Sequence, residues 1–221
     1  MLLFPIVCMG QKKVYTKGMK IGDFTTRTTK VVLSGESMLD LCFKDEVSAQ
    51  WNISAYEFCP VAEYEKLKED NNYYFLRLVS DGEVNYISLS KGGKEKEENS
   101  LKRPFELVRV PISTTQASDG RVFVYMPAFV SIVQAYMEKA LVNEVAAYTG
   151  LTAFNGRIPK DAKVLLEPAE ADAAFADGAQ DTLIGLMIGK FSMLIEADTH
   201  KLVYYSSTGR DLAKKYGKSA E

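Results

Sequence analysis

Two stretches decide how this chain is read: KVVLS at Lys30–Ser34 and RVFVYM at Arg121–Met126. Each sets a basic residue before a short apolar run, and each is followed by the same order of elements. After Lys30–Ser34 comes an amphipathic segment in which Leu39, Phe43 and Val47 recur every four residues, the spacing of one helix face. Ser34 or Ser37 is placed to cap it, and Trp51 closes it. A strand over Asn52–Phe58 follows, with Tyr56 and Phe58 on one side, and then a helix started by Pro60 and striped by Val61, Tyr64 and Leu67. Tyr73–Val79 reads as a central strand, and Asp81-Gly82 turns it into Val84–Leu89.

The second pass has the same plan. Arg121–Met126 is expected as its opening strand, Pro127 as the start of a long helix through Tyr148, and Gly150 as its stop. Lys163–Glu167 gives a short strand, and an alanine-rich helix runs from Pro168 to Gly178. Three strands finish the chain, Leu183–Ile188, Phe191–Ala197 and Leu202–Ser206, the last two joined by a turn over Asp198–Lys201. The fold class is therefore α/β, with α+β as the alternative: two similar units of strand, helix, strand, helix and further strands, with mixed sheets and helices packed on them.

The expected organisation is residues 1–10 as an apolar leader, 11–29 as a polar lead-in with one edge strand, 30–112 as the first unit, 113–120 as a connecting loop, 121–208 as the second unit and 209–221 as a polar tail. Lys91–Lys102, with Gly92, Gly93 and mixed charges, reads as an exposed loop because it has too little apolar surface to fix a conformation. The leader, MLLFPIVCMG, is too short to span a bilayer, which takes about 20 apolar residues. It matches the apolar core of a secretory signal, without the basic segment that precedes one. A buried first strand and a lipoprotein signal at Cys8 are the alternatives. Export places the protein in the periplasm or envelope; a core strand places it in the cytoplasm.

Composition limits the chemistry. The 221 residues carry a formal net charge of -2, which gives no field to attract nucleic acid or an anionic membrane. Hydrophobic residues at 47% supply a core without metal or disulfide support. His200 is the single histidine and sits in an expected turn, a poor base for histidine-dependent catalysis or an imidazole metal site. Glu167, Glu170, Asp172 and Asp177 gather in sequence, but on a helix Glu170 and Asp177 face one way and Asp172 another, which reads as a solvated helix face rather than a cation site. Phe191 stands where a phosphate-binding loop at Gly185–Ser192 would need Ser or Thr. No catalytic, cofactor or metal residue is assigned, and no cofactor is expected. Three cysteines have no metal spacing; with Cys8 removed, Cys42 and Cys59 remain as a pair that could bridge in an oxidising compartment or stay as buried thiols.

The stretches WNISAYEFCPVAEYEKL, NNYYFLRLV and ISLSKGG within 51–93, with GRVFVYMPAFVSIVQAYMEK and LIEADTHKLVYYS, resemble exported proteins of Bacteroidales without a characterised function. By topology alone the element order is similar to the N-terminal domain of TolB. The resemblance implies an exported cell-envelope protein, a non-enzymatic scaffold that binds an envelope protein or surface component through its loops. It implies no nucleic-acid partner and no integral membrane span. The alternative is a small-ligand binder or carboxylate-based enzyme with a cleft between the units. A pocket with converging Asp, Glu or Arg favours the alternative; an exposed apolar patch favours the scaffold.

Overall fold

The computed structural model describes residues 17–35, 37–93, 105–117, 119–159, 161–209 and 212–216. The leader with Cys8, residues 94–102 of the expected loop and residues 217–221 of the tail lie outside this set.

The first sheet grows around β1 (Thr28–Leu33), the expected opening strand. Its neighbours are β2 (Tyr56–Pro60) and β3 (Tyr73–Ser80), both parallel to it; β4 (Val84–Lys91) and β5 (Phe105–Thr114) continue antiparallel, giving the order β2-β1-β3-β4-β5. Two helices make the parallel crossovers, α2 (Met38–Gln50) and α3 (Val61–Leu67). Of the two candidate caps, Ser37 is the one that starts α2, its Oγ accepting the Asp40 N–H at 3.0 Å. Phe43 and Val47 are buried, and Trp51 closes the helix as read, donating its indole N–H to Ser54 at 3.1 Å. The period of two in β1 splits the layers. Val31 faces the main core, and Val32 joins Cys59, Tyr64 and Phe75 under α3.

The lead-in is better anchored than its polar composition suggests. It forms a short helix, α1 (Lys17–Ile21), and a 3-10 turn (Phe24–Thr26) where an edge strand was expected. Ile21 and Phe24, one helical turn apart, are fully buried, with Phe24 edge-on to Tyr74 at 4.7 Å between ring centroids.

The second unit departs from the expected plan at its opening. Arg121–Met126 is not a strand but the first turns of α4 (Arg121–Val142). Tyr125, Met126, Phe129, Val133, Tyr136, Met137 and Ala140 are all buried, a spacing of three and four that continues through Pro127 and defines one helix. Pro127 removes a single intrahelical donor, and its own carbonyl accepts Gln50 Nε2 of α2 at 3.0 Å. The helix also breaks earlier than expected, at Asn143, which caps a separate α5 (Glu144–Thr149) by accepting the Ala146 N–H at 3.1 Å. Gly150, at φ 62°, ends α5 as expected.

The remaining elements are β6 (Lys163–Leu165), α6 (Pro168–Ala176), β7 (Thr182–Ile188), β8 (Phe191–Glu196) and β9 (Leu202–Ser206). They form a second mixed sheet, β6-β7-β8-β9, in which only β6 and β7 run parallel. A short α7 (Leu212–Tyr216) stands where a solvated tail was expected: Leu212 is buried with Leu183, Leu194 and Tyr204 on the outer face of this sheet. The inner faces of both sheets share one apolar cluster with α2, α4 and α6, and Tyr86 of β4 meets Phe191 of β8 edge-on at 5.9 Å. Among the described residues, no helix is long and apolar enough to cross a membrane.

Candidate functional site

A cleft of about 650 Å³ opens at one end of the second sheet. One wall is the segment after α5, a 3-10 turn (Gly150–Phe154) followed by extended chain. Asn155 fixes this segment to β9: its side-chain amide donates to Tyr205 O at 2.9 Å and accepts from Tyr205 N at 2.7 Å. Gly156 N donates to Val203 O at 3.4 Å. An asparagine side chain thus stands in for a neighbouring strand and occupies the free edge of β9. Farther along, Ile158 and Ala162 pack on the outer-face cluster. The chain therefore bridges over the sheet and leaves a hollow beneath it.

The opposite wall is the start of β7, the end of β8 and the start of β9. Leu183 pairs with Glu196. Ala197 N donates to Thr182 O at 2.9 Å, which carries the register one step past the strand. Asp181 and Asp198 lie in the turns just outside these paired residues, and both line the cleft. Asp181 takes a left-handed backbone conformation, φ 53°, uncommon for a residue with a side chain. Asp161 and Arg157 complete the polar lining, with Phe154, Ile158, Leu183, Leu202 and Val203 as apolar surface. Glu196 is half-buried and accepts the Thr199 hydroxyl; Asp198 accepts Thr199 N at 2.8 Å. Among the described lining residues, four carboxylates face one arginine.

A second groove, about 290 Å³, adjoins the cleft across Phe154 and Leu202, and His200 lies in it. The residue is in the expected turn, at φ 58°, yet it is half-buried. Its ring stacks on Phe175 of α6, 4.4 Å between centroids and 19° from parallel. Burial pushes its pKa below the usual imidazole value, with Asp198 opposing. Neither feature makes it a base aimed into the cleft.

The other residues singled out in the sequence have structural places. Asp172 of α6 accepts Arg121 Nε at 3.0 Å and the Tyr125 hydroxyl at 2.6 Å, and so ties α6 to α4. Among the described residues, no group of three or more His, Cys, Asp or Glu is placed to hold a metal. The bridge considered for Cys42 and Cys59 is not formed; both are free thiols. Cys42 packs on the main core from α2, whereas Cys59 belongs to the small cluster under α3, so the sheet lies between them. Burial raises both thiol pKa values. The cleft carboxylates were not found by sequence reasoning, because Asp161, Asp181 and the Glu196–Asp198 stretch come from separate parts of the chain that no sequence pattern links. At the junction between the units lies a small hollow of about 140 Å³ beside Arg121 and Tyr125. No protein-family model, no curated protein and no solved structure matches the chain.

Proposed function

We propose that the protein is a non-enzymatic binding module that holds a small organic cation, an amine on an apolar body, in the cleft of the second unit. The observation that supports this reading is the negative charge of the lining: among its described residues Asp161, Asp181, Glu196 and Asp198 stand against Arg157 alone. Like charges gathered around one cleft repel one another and cost stability. A cation seated among them removes that cost and gains charge-assisted hydrogen bonds. Ile158, Leu183, Leu202 and Val203 offer apolar surface to the rest of the ligand, and the volume suits a small molecule.

The test is calorimetric titration and thermal shift with 2-phenylethylamine and 1,4-diaminobutane as probes and benzoate as the anionic control. Both amines should raise the melting temperature, and benzoate should not. Replacing two of the lining carboxylates, Asp181→Asn with Asp198→Asn, should weaken amine binding by about tenfold or more. The same change should leave the unliganded protein as stable or slightly more so, because two like charges leave the cleft. Amines that shift nothing, or that bind the double variant equally well, would refute the reading.

A second reading, the envelope scaffold, has its own support. Val142, Val145 and Tyr148 stand 87%, 69% and 63% exposed around the α4–α5 junction. An exposed apolar group of this kind suits a protein surface. The export suggested by the apolar leader belongs with this reading. Capture of one specific envelope protein that is lost on Val145→Asp would favour it.

A further inference from the structure

We infer that the first unit carries an oxyanion site built on Arg77 of β3 and Ser90 of β4, independent of the amine cleft. Arg77 sits in the middle of the central strand, between Val32 of β1 and Ser88 of β4. Its guanidinium lies over the Tyr64 ring of α3, with Cζ 4.3 Å from the centroid. That contact is with the ring face and offers the guanidinium N–H donors no oxygen acceptor. Arg77 Nε is buried and has no hydrogen-bond partner.

The carboxylates near it are committed to other cations. Glu57 and Glu63 hold Lys30 at 2.7 and 2.9 Å, and Glu106 holds Arg109 at 2.9 Å and the Ser88 hydroxyl at 2.8 Å. Among the described residues Arg77 has no ion pair in its half-buried place, whereas Lys30 and Arg109 on the same sheet face each have one.

The second observation is independent of charge. Ser90, 2% exposed, has a buried hydroxyl with no partner. It pairs with Phe75, two residues before Arg77 on β3, so the two orphan groups share a sheet face as diagonal neighbours, roughly 7–8 Å apart and somewhat less between Cβ atoms. Buried polar groups are nearly always satisfied, and an orphan marks a place for a water or an ion. A water would serve either atom but would leave the guanidinium charge uncompensated. A carboxylate or phosphate satisfies both, accepting from the guanidinium edge through one oxygen and from Ser90 through another.

The experiment follows the Arg77 Nε–H signal by ¹H–¹⁵N NMR while inorganic phosphate, and separately acetate, is added to the full chain. The signal should move and saturate with a dissociation constant at or below about 1 mM for at least one of the two, and which anion binds tighter tells phosphate from carboxylate recognition. Arg77→Lys keeps a charge without the planar fork and should weaken binding about tenfold; Ser90→Ala should weaken it about fivefold. Circular dichroism establishes that each variant is folded, and Ser90→Ala serves as the test if Arg77→Lys is not. An Nε–H signal that stays still throughout both titrations overturns the proposal, and so does anion binding that neither variant changes. Neither result touches the amine cleft, whose residues lie on the other sheet.

Discussion

In the first unit β1 lies between β2 and β3, so the crossover through α3 passes over a strand. In the second unit β6 pairs with β7 directly, and a 22-residue helix stands where an opening strand was expected. The units share a strand-helix-strand-strand-strand order, but the second lacks the central strand that organises the first. What it has in exchange is α4, which packs on α2, β4 and β5 as well as on α6. The missing strand therefore matters beyond topology. A sheet without its own opening strand shares its inner face with the other unit, and the single apolar cluster running through both is the consequence.

This comparison is broken most directly at Phe129, buried on α4 inside the shared cluster. Phe129→Ala should destabilise the protein by about 3–5 kcal/mol. Trp51, the single tryptophan, reports on the first unit, while far-UV circular dichroism reports on both. In urea the two signals should lose their structure at the same midpoint, in the parent and in the variant. Separate midpoints would mean that the units are two cooperative bodies, and the reading of α4 as their common core would fail.

A smaller contrast lies in how each unit ties down a buried tyrosine. In the first, Asp23 accepts the Tyr74 hydroxyl at 2.6 Å, Lys91 Nζ at 2.7 Å and Arg27 Nε at 3.1 Å. In the second, among the described residues, Asp172 accepts from Tyr125 and Arg121. Burial and then the neighbouring carboxylate push both tyrosine pKa values upward, so both hydroxyls are donors at neutral pH. Asp23→Ala strands one more donor than Asp172→Ala. We expect losses of about 2–3 and about 1–2 kcal/mol, read from urea midpoints at constant slope. A larger loss at Asp172 would show that the α4–α6 tie matters more than the lead-in.

What was legible in the sequence follows the range of each interaction. Ser37, the Leu39-Phe43-Val47 stripe, the Asp81-Gly82 turn and the Gly150 stop act within a few residues, and all appear where expected. Arg121–Met126 misled because six residues with a basic start fit a strand as well as a helix. Only the longer window through Ala140 shows the helical period. Leu212 was missed because it is an isolated apolar anchor in polar sequence, and Ile21 with Phe24 because two apolar residues fix no pattern; the partners of each are distant in the chain. The cleft was hidden for a related reason: Asp161, Asp181, Glu196 and Asp198 become neighbours through a hairpin register and a segment stitched to β9 by Asn155. The orphaned Arg77 was visible as a break in an apolar strand, but its lack of a partner is a property of the packed sheet.

The smallest expected effect separates the units by pH, because the chain's one histidine lies in the second. His200 is stacked on Phe175, and burial lowers its pKa in the folded protein below the ordinary 6.5. As pH falls through 6.5 the unfolded chain takes up the proton first, so unfolding is favoured. The stability His200 contributes is thus complete above that pH and declines as pH falls through the folded value. The loss should be modest, since the ring is only half-buried and Asp198 partly compensates an imidazolium. Melting temperatures measured between neutral and mildly acid pH should fall for the parent. The part of the fall due to this ring should vanish in His200→Gln. If the two profiles run parallel, acid sensitivity belongs to the carboxylates that both units share, and the stacked histidine has no part in it.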